Sequence, residues 1–258
     1  MTAILLDVEG VLHVSGDPIA GAPQAVARLR AQGHRLRFVT NDTTRSRATL
    51  TRELRALGIV LEEEELQTTP RAAAQVLAGK RVLVLAMAAI IEDLEGIELV
   101  GEGAEVVLVG GADDSEETNR VFSYMNLARA FAELGAGAEL VCLHKNRWWQ
   151  TRRGPLLDTG AFVAGLEYAA ETEAVVLGKP SAVYFDAALT SLDADPDMTW
   201  MVGDDLEADI AGAQGCGLRT VLVRTGKFRP DALEHTDIVP DVILSSIAQL
   251  PEWLERNL

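Results

Sequence analysis

The chain has 258 residues, 48% of them hydrophobic and 24% charged, which is enough to bury a sizeable core and excludes a disordered polar chain. Its 39 acidic residues outnumber the 23 lysines and arginines, for a formal charge of -16. Such a surface argues against nucleic acid or an anionic membrane as partner, and an anionic substrate would need a local cation beside it.

The chain opens on an apolar run of strand length, Ile4 to Leu6, that ends in Asp7, and Gly10 lets the backbone turn sharply. A carboxylate at the carboxyl end of a buried strand sits where ligands bind in an open α/β sheet. Ala22, Val26 and Leu29 then share a helical face that Gly33 ends. A second strand, Leu36 to Val39, runs into Thr40, Asn41 and Asp42, and a helix from about Ser46 carries Leu50, Leu54 and Leu57 before Gly58. Strand, helix, strand, helix implies parallel pairing with right-handed crossovers.

The acidic run Glu62 to Glu65 reads as a solvated turn leading into a helix over Gln67 to Leu77. Arg81 to Ala86, Glu105 to Val109 and Glu139 to Leu143 read as strands. Between the last two, one long helix is expected from Ser115 to Leu134, with Val121, Met125, Ala128 and Ala132 buried. Lys145 to Arg153, K-N-R-W-W-Q-T-R-R, sets four cations and two tryptophans in an acidic protein. A substrate-facing loop accounts for it, and an edge hairpin or a contact between copies accounts for it equally well. A helix over Asp158 to Ala170 follows.

The remainder repeats the opening theme. A strand at Ala174 to Leu177 precedes Gly178-Lys179-Pro180, a helix spans Val183 to Leu192, a strand at Thr199 to Val202 precedes Gly203-Asp204-Asp205, and a helix spans Leu206 to Gln214. Strands at Arg219 to Val223 and Val242 to Leu244 and a short closing helix complete the chain. No stretch is long and apolar enough to span a bilayer, and the opening M-T-A-I-L-L-D lacks a basic region and a cleavage site, so a cytoplasmic protein is expected. Cys142 and Cys216 lack metal-ligand spacing and read as reduced core thiols.

Asp7 with Glu9, Thr40 with Asn41, Lys179, and Asp204 with Asp205 each follow a strand, so one edge of a parallel sheet would gather them. The chemistry they suit is phosphoryl transfer. Asp7 and Asp204 offer hard oxygen ligands to Mg²⁺, and Lys179 would offset the repulsion between an anionic phosphate and an anionic nucleophile. The Thr40 hydroxyl and the Asn41 amide can donate to phosphoryl oxygens. Asp7 would attack phosphorus to form an aspartyl-phosphate that water then cleaves.

D-V-E-G-V-L, F-V-T-N, G-K-P and G-D-D-L-E-A-D-I resemble the four motifs of the haloacid dehalogenase (HAD) phosphohydrolase superfamily. The resemblance spans nearly the whole chain. Roughly 140 residues separate Thr40 from Lys179, which resembles the subclass with a large α/β cap between the second and third motifs. It implies a doubly wound, Rossmann-like core over residues 1–71 and 176–258 and an α/β cap over 72–175. It further implies that Asp7 is the nucleophile and that Asp7, the backbone carbonyl of Glu9 and Asp204 hold Mg²⁺. Asp205 and Asp209 would support the metal through water or as outer partners. Thr40, Asn41 and Lys179 would bind phosphate, and Arg147, Trp148 and Asp158 of the cap would touch the leaving group of a small phosphorylated substrate. A homodimer through the cap is a further expectation.

One departure stands out. Most superfamily phosphatases carry Asp two residues after the nucleophile as general acid and base, whereas this chain has Glu9. Glu has the right chemistry, but its extra methylene shifts the carboxyl, and a displacement of about 1 Å can cost about a hundredfold in rate. A slow enzyme, or one whose leaving group needs little protonation such as a phosphoramidate or pyrophosphate, is one consequence. A weakly active relative that serves as a Mg²⁺- and phosphate-binding regulatory module is the other. A receiver domain uses similar residues but has its acidic pair before the phosphorylated Asp. No G-x-G-x-x-G follows a strand, which argues against a dinucleotide-binding oxidoreductase.

Overall fold

The computed structural model describes residues 2–151 and 154–257, which form two compact units. One comprises the residues up to Thr40, Ala48–Gln67 and the chain from Lys179 onward, and the other comprises Asn41–Arg47 and Thr68–Gly178. Sequence blocks divide the chain into continuous pieces, whereas here the short stretch after Thr40 groups with the inserted unit.

The first unit is built on a six-stranded sheet in the order Val242–Leu244, Arg219–Val223, Thr199–Gly203, Ala3–Asp7, Arg35–Thr40, Leu66–Thr68. The pairings among the first five are parallel. All five residues of Ala3–Asp7 and of Thr199–Gly203 are buried, as expected of central parallel strands covered on both faces. Ile4, Leu6, Phe38, Val202 and Val221 pack with Val26 and Leu29 of the helix Ala22–Ala31 and with Leu250 and Leu254 of the closing helix Leu250–Asn257. Each fully buried Leu or Val side chain contributes about 1.5–3 kcal/mol by leaving water. Trp200 and Trp253 meet edge to face, their ring centroids 5.2 Å apart, and the Arg219 guanidinium lies 5.5 Å from the Trp200 ring centroid.

The second unit has its own parallel sheet, in the order Val175–Val176, Glu139–Cys142, Val106–Val109, Arg81–Leu85, Glu98–Leu99. Alternate residues of its central strand feed two apolar clusters: Val107 and Val109 pack with Phe122, Ala130 and Val163, while Val106 and Leu108 pack with Ala73, Ile90 and Leu177. Trp148–Thr151 and Gly154–Leu157 form an antiparallel hairpin. This stretch, for which the sequence leaves a substrate-facing loop, an edge hairpin and a contact between copies all open, is thus a hairpin that forms a two-stranded sheet of its own, and Arg152 and Arg153 lie outside the described residues.

Several expected elements differ. Gln67 to Leu77 begins as the strand Leu66–Thr68, and the helix spans Thr69–Val76 because the Thr68 hydroxyl caps it, accepting the Arg71 N–H at 3.4 Å. The expected long helix is two, Glu116–Val121 and Tyr124–Gly135. The Ser123 hydroxyl accepts the Asn126 N–H, and the Asn126 amide donates to the carbonyls of Arg120 and Val121 at 2.9 and 3.1 Å, so S-Y-M-N caps both ends of the break. The restart turns a different face inward: Ala130 and Leu134 are buried, whereas Met125 is 70% exposed and Ala132 also faces solvent. Cys142 is buried as expected, but Cys216 is partly exposed and belongs to no core cluster.

Candidate active site

In the first unit the chain runs from Ala3–Asp7 to Arg35–Thr40 on one side, while Thr199–Gly203 lies on the other. The crevice at such a reversal of strand order is where open α/β sheets bind ligands. Register pairs Leu6 with Val202 and Asp7 with Val39, so the strand ends deliver Asp7, Thr40 and Asp204 to one edge.

Lys179 ties this edge together. Its Nζ lies 2.6 Å from Asp7 Oδ1 and 2.6 Å from Asp209 Oδ1, with all three side chains at most 10% exposed. Burial disfavours the ammonium, but the Asp209 and Asp7 carboxylates outweigh it and hold the Lys179 pKa well above its ordinary value. Lys179 is thus the local cation that the acidic composition calls for.

Asp7, Asp204 and Asp209 each bring a carboxylate oxygen within 4.8 Å of the others. Burial and the neighbouring Asp7 and Asp209 carboxylates push Asp204 well up. Burial and Asp7 push Asp209 up to about 7, against the opposing pull of Lys179. Asp209 is not the exposed helix residue that its position in sequence allows. The turn Leu206–Ala211 is a wide π-helical one, which the expected regular helix is not, and Asp209 folds back so that its Oδ2 accepts the N–H groups of Asp204 and Asp205, both at 3.2 Å. Gly203 permits this, since a Cβ there would collide with the Asp209 side chain.

The residues fit a divalent cation. Three buried carboxylates against one ammonium leave a net charge of about −2 when all are ionised, an arrangement that needs a counter-ion. Hard carboxylate oxygens suit Mg²⁺ or Ca²⁺. Gly10 and Gly226, both at positive φ, press so closely on Asp204 that a Cβ at either would fall inside its carboxylate. Asp205, expected as an outer support of the metal, and the carboxylate of Glu9, expected as acid and base while its backbone carbonyl faces the metal, each have protein partners. Asp205 Oδ1 accepts the N–H groups of Glu207 and Ala208, and its Oδ2 pairs with Lys227 at 3.1 Å. Burial raises the Asp205 pKa, but Lys227 and the Ala208 N–H more than offset this, leaving it below the ordinary carboxylate value. Glu9 Oε1 accepts the Ser15 N–H at 2.8 Å, and its Oε2 lies 3.0 Å from Nδ1 of the buried His13.

Thr40 is buried, and its backbone is held by Tyr184: the hydroxyl accepts the Thr40 N–H at 2.9 Å and lies 3.0 Å from the Thr40 carbonyl and 2.7 Å from that of Gln67. Asn41, next in the chain, groups with the second unit, where its Oδ1 accepts from the Thr69 hydroxyl at 3.4 Å. Arg147, Trp148 and Asp158 also belong to that unit. Arg147 and Trp148 are exposed. Asp158 is buried, accepts the Thr159 N–H at 2.7 Å and lies 3.7 Å from His144 Nε2, which is itself 3.0 Å from the Thr43 hydroxyl.

Tyr184, His13 and Lys227 escape a reading of the sequence by motif. Lys227 alone left a signal, since R-T-G-K follows the strand Arg219–Val223 and strand ends on this edge are where functional side chains gather.

Carboxylates gathered around a buried lysine at the ends of parallel strands suit the chemistry of an anionic ester, and the chain as a whole is similar to known proteins. Residues 4–100 match the haloacid dehalogenase-like hydrolase family and residues 176–250 the HAD-hydrolase-like family. The phospholysine phosphohistidine inorganic pyrophosphate phosphatase of Xenopus laevis is 37% identical over 261 residues, covering 98% of this chain and 94% of that protein. The p-nitrophenyl phosphatase from Archaeoglobus fulgidus superposes with a TM-score of 0.90 at 28% identity, covering 98% of each chain. A glycerol phosphate phosphatase from Mycobacterium tuberculosis in complex with magnesium superposes with a TM-score of 0.86 at 28% identity, covering 96% of this chain and 76% of that one. The chain belongs to the haloacid dehalogenase-like hydrolase family. It is an enzyme of the phosphohydrolase kind.

Proposed function

We propose that the chain is a Mg²⁺-dependent phosphatase that hydrolyses a small phosphorylated molecule through an aspartyl-phosphate on Asp7. The observation that carries this reading is the Lys179 bridge between Asp7 and Asp209, with Asp204 beside it. Asp7, Asp204 and Asp209 would hold the cation, directly or through water, and when bound it would neutralise charge on the phosphoryl group. Lys179 orients the Asp7 carboxylate for in-line attack and offsets the repulsion between two anions. Thr40, its backbone fixed by Tyr184, and Asn41 donate to phosphoryl oxygens.

Glu9 is the candidate acid for the leaving group and base for the hydrolytic water. Tethered to His13 and the Ser15 N–H, it favours substrates whose leaving group needs little protonation. The name of the Xenopus relative supports N-phosphorylated amines and pyrophosphate as candidates. Arg147, Trp148 and Asp158 remain the candidates for contact with the leaving group, and Arg147 and Trp148 are exposed.

Phosphate release from p-nitrophenyl phosphate, pyrophosphate and an N-phosphorylated amine, with and without Mg²⁺, tests this beside Asp7→Asn. Turnover that needs Mg²⁺ and vanishes in Asp7→Asn is expected. The tethering of Glu9 favours a second reading, a weakly active Mg²⁺- and phosphate-binding regulatory module. Activity no higher than that of Asp7→Asn on all three compounds, with Mg²⁺ binding retained, would select it.

A further inference from the structure

The loop after Arg219–Val223 closes over Asp204 by three separate contacts. The Thr225 hydroxyl donates to the Gly10 carbonyl. Gly226, at φ +59°, lies against the Asp204 carboxylate. The Lys227 N–H donates to Asp204 Oδ2 at 2.6 Å. Beyond these, the Lys227 ammonium reaches Asp205 Oδ2 at 3.1 Å, while Asp205 Oδ1 is fixed by the amides of Glu207 and Ala208. The Lys227 side chain therefore fastens its own loop to the turn that carries Asp204.

We infer that Lys227 is a positioning residue for divalent-cation binding: its ion pair with Asp205 holds its amide on Asp204 Oδ2 and so fixes the orientation of the Asp204 carboxylate. This rests on reading Asp7, Asp204 and Asp209 as the cation's ligands. Charge alone gives the opposite sign, because an ammonium repels a nearby divalent cation and its removal would tighten binding. Loss of an orienting partner instead weakens metal binding, typically by roughly 10–100-fold. The two roles are therefore separable by the direction of a single change.

The test is Mg²⁺ binding to the full chain by isothermal titration calorimetry, for wild type, Lys227→Met, Lys227→Arg and Asp204→Asn, with the melting temperature of each metal-free protein. Lys227→Met is expected to bind Mg²⁺ roughly tenfold more weakly while melting close to wild type. Lys227→Arg, which can still pair with Asp205, is expected to recover part of the loss. Unchanged or tighter binding in Lys227→Met overturns the inference. If Lys227→Met does not fold, Lys227→Gln carries the test by the same criterion. A wild-type chain that binds no Mg²⁺ removes the cation reading and this inference with it, whereas wild-type binding matched by the variant removes only the role of Lys227.

Discussion

Lys179 and Asp209 form an ion pair 2.6 Å long with 4% and 1% of their side chains exposed, and the same ammonium also serves Asp7. A buried pair is worth little against an apolar replacement of both members, but removing one member strands the other. Lys179→Met is therefore expected to lower the stability of the metal-free protein by about 3–5 kcal/mol in urea denaturation and to abolish phosphatase activity. A loss of under about 1 kcal/mol would mean that the carboxylates need no cation in the fold.

The same cluster makes the metal-free protein sensitive to pH. Burial and neighbouring carboxylates raise Asp204, and raise Asp209 to about 7, so both hold protons more tightly folded than unfolded. Their contribution to stability is complete below the ordinary carboxylate pKa and is lost as pH rises through the folded values. The melting temperature without metal is expected to fall between about pH 4 and about pH 8, and less steeply in Asp204→Asn. On the proposed reading Mg²⁺ would replace protons here, and its stabilising effect is expected to grow over the same interval. Thermal scans at several pH values, with Mg²⁺ and with a chelator, check both slopes.

Glu9 can be examined through the leaving group. p-Nitrophenolate departs without a proton, whereas an alkoxide does not. If Glu9 protonates the leaving group, Glu9→Gln should cost about 100-fold or more on an alkyl phosphate and far less on p-nitrophenyl phosphate. Equal losses on both would make the tether to His13 and Ser15 structural rather than catalytic.

Much of this architecture is legible in the sequence because parallel strands buried on both faces read as unbroken apolar runs. Ala3–Asp7 and Thr199–Gly203 are such runs, and the polar residues that end them mark the site. What escapes is set by contacts distant in sequence or by local capping. The family motif names Asp209, but its contact with Lys179 cannot be read until the wide turn folds it back, and Tyr184 reaches Thr40 across 144 residues. The break at Ser123 is hidden because Val121, Met125, Ala128 and Ala132 fit one helical stripe; only the pairing of Ser123 with Asn126 reveals the restart.

That restart can be weakened directly. Ser123→Ala removes the hydroxyl that accepts the Asn126 N–H and is expected to cost about 1 kcal/mol in the stability of the inserted unit. Ser123→Asp, which can cap the same end, should restore most of it. Chemical denaturation of the three proteins measures the difference.

The chain's four tryptophans fall two and two. Trp200 and Trp253 stack edge to face in the first unit under the Arg219 guanidinium, while Trp148 and Trp149 sit on the hairpin of the second, Trp148 being 45% exposed. Each unit thus carries its own optical reporter, a shielded pair in the first and, in the second, a pair of which Trp148 is open to collisional quenchers. Replacing either pair with phenylalanine would leave a protein whose intrinsic fluorescence follows one unit alone, so that the unfolding of the two can be timed separately without attaching a dye.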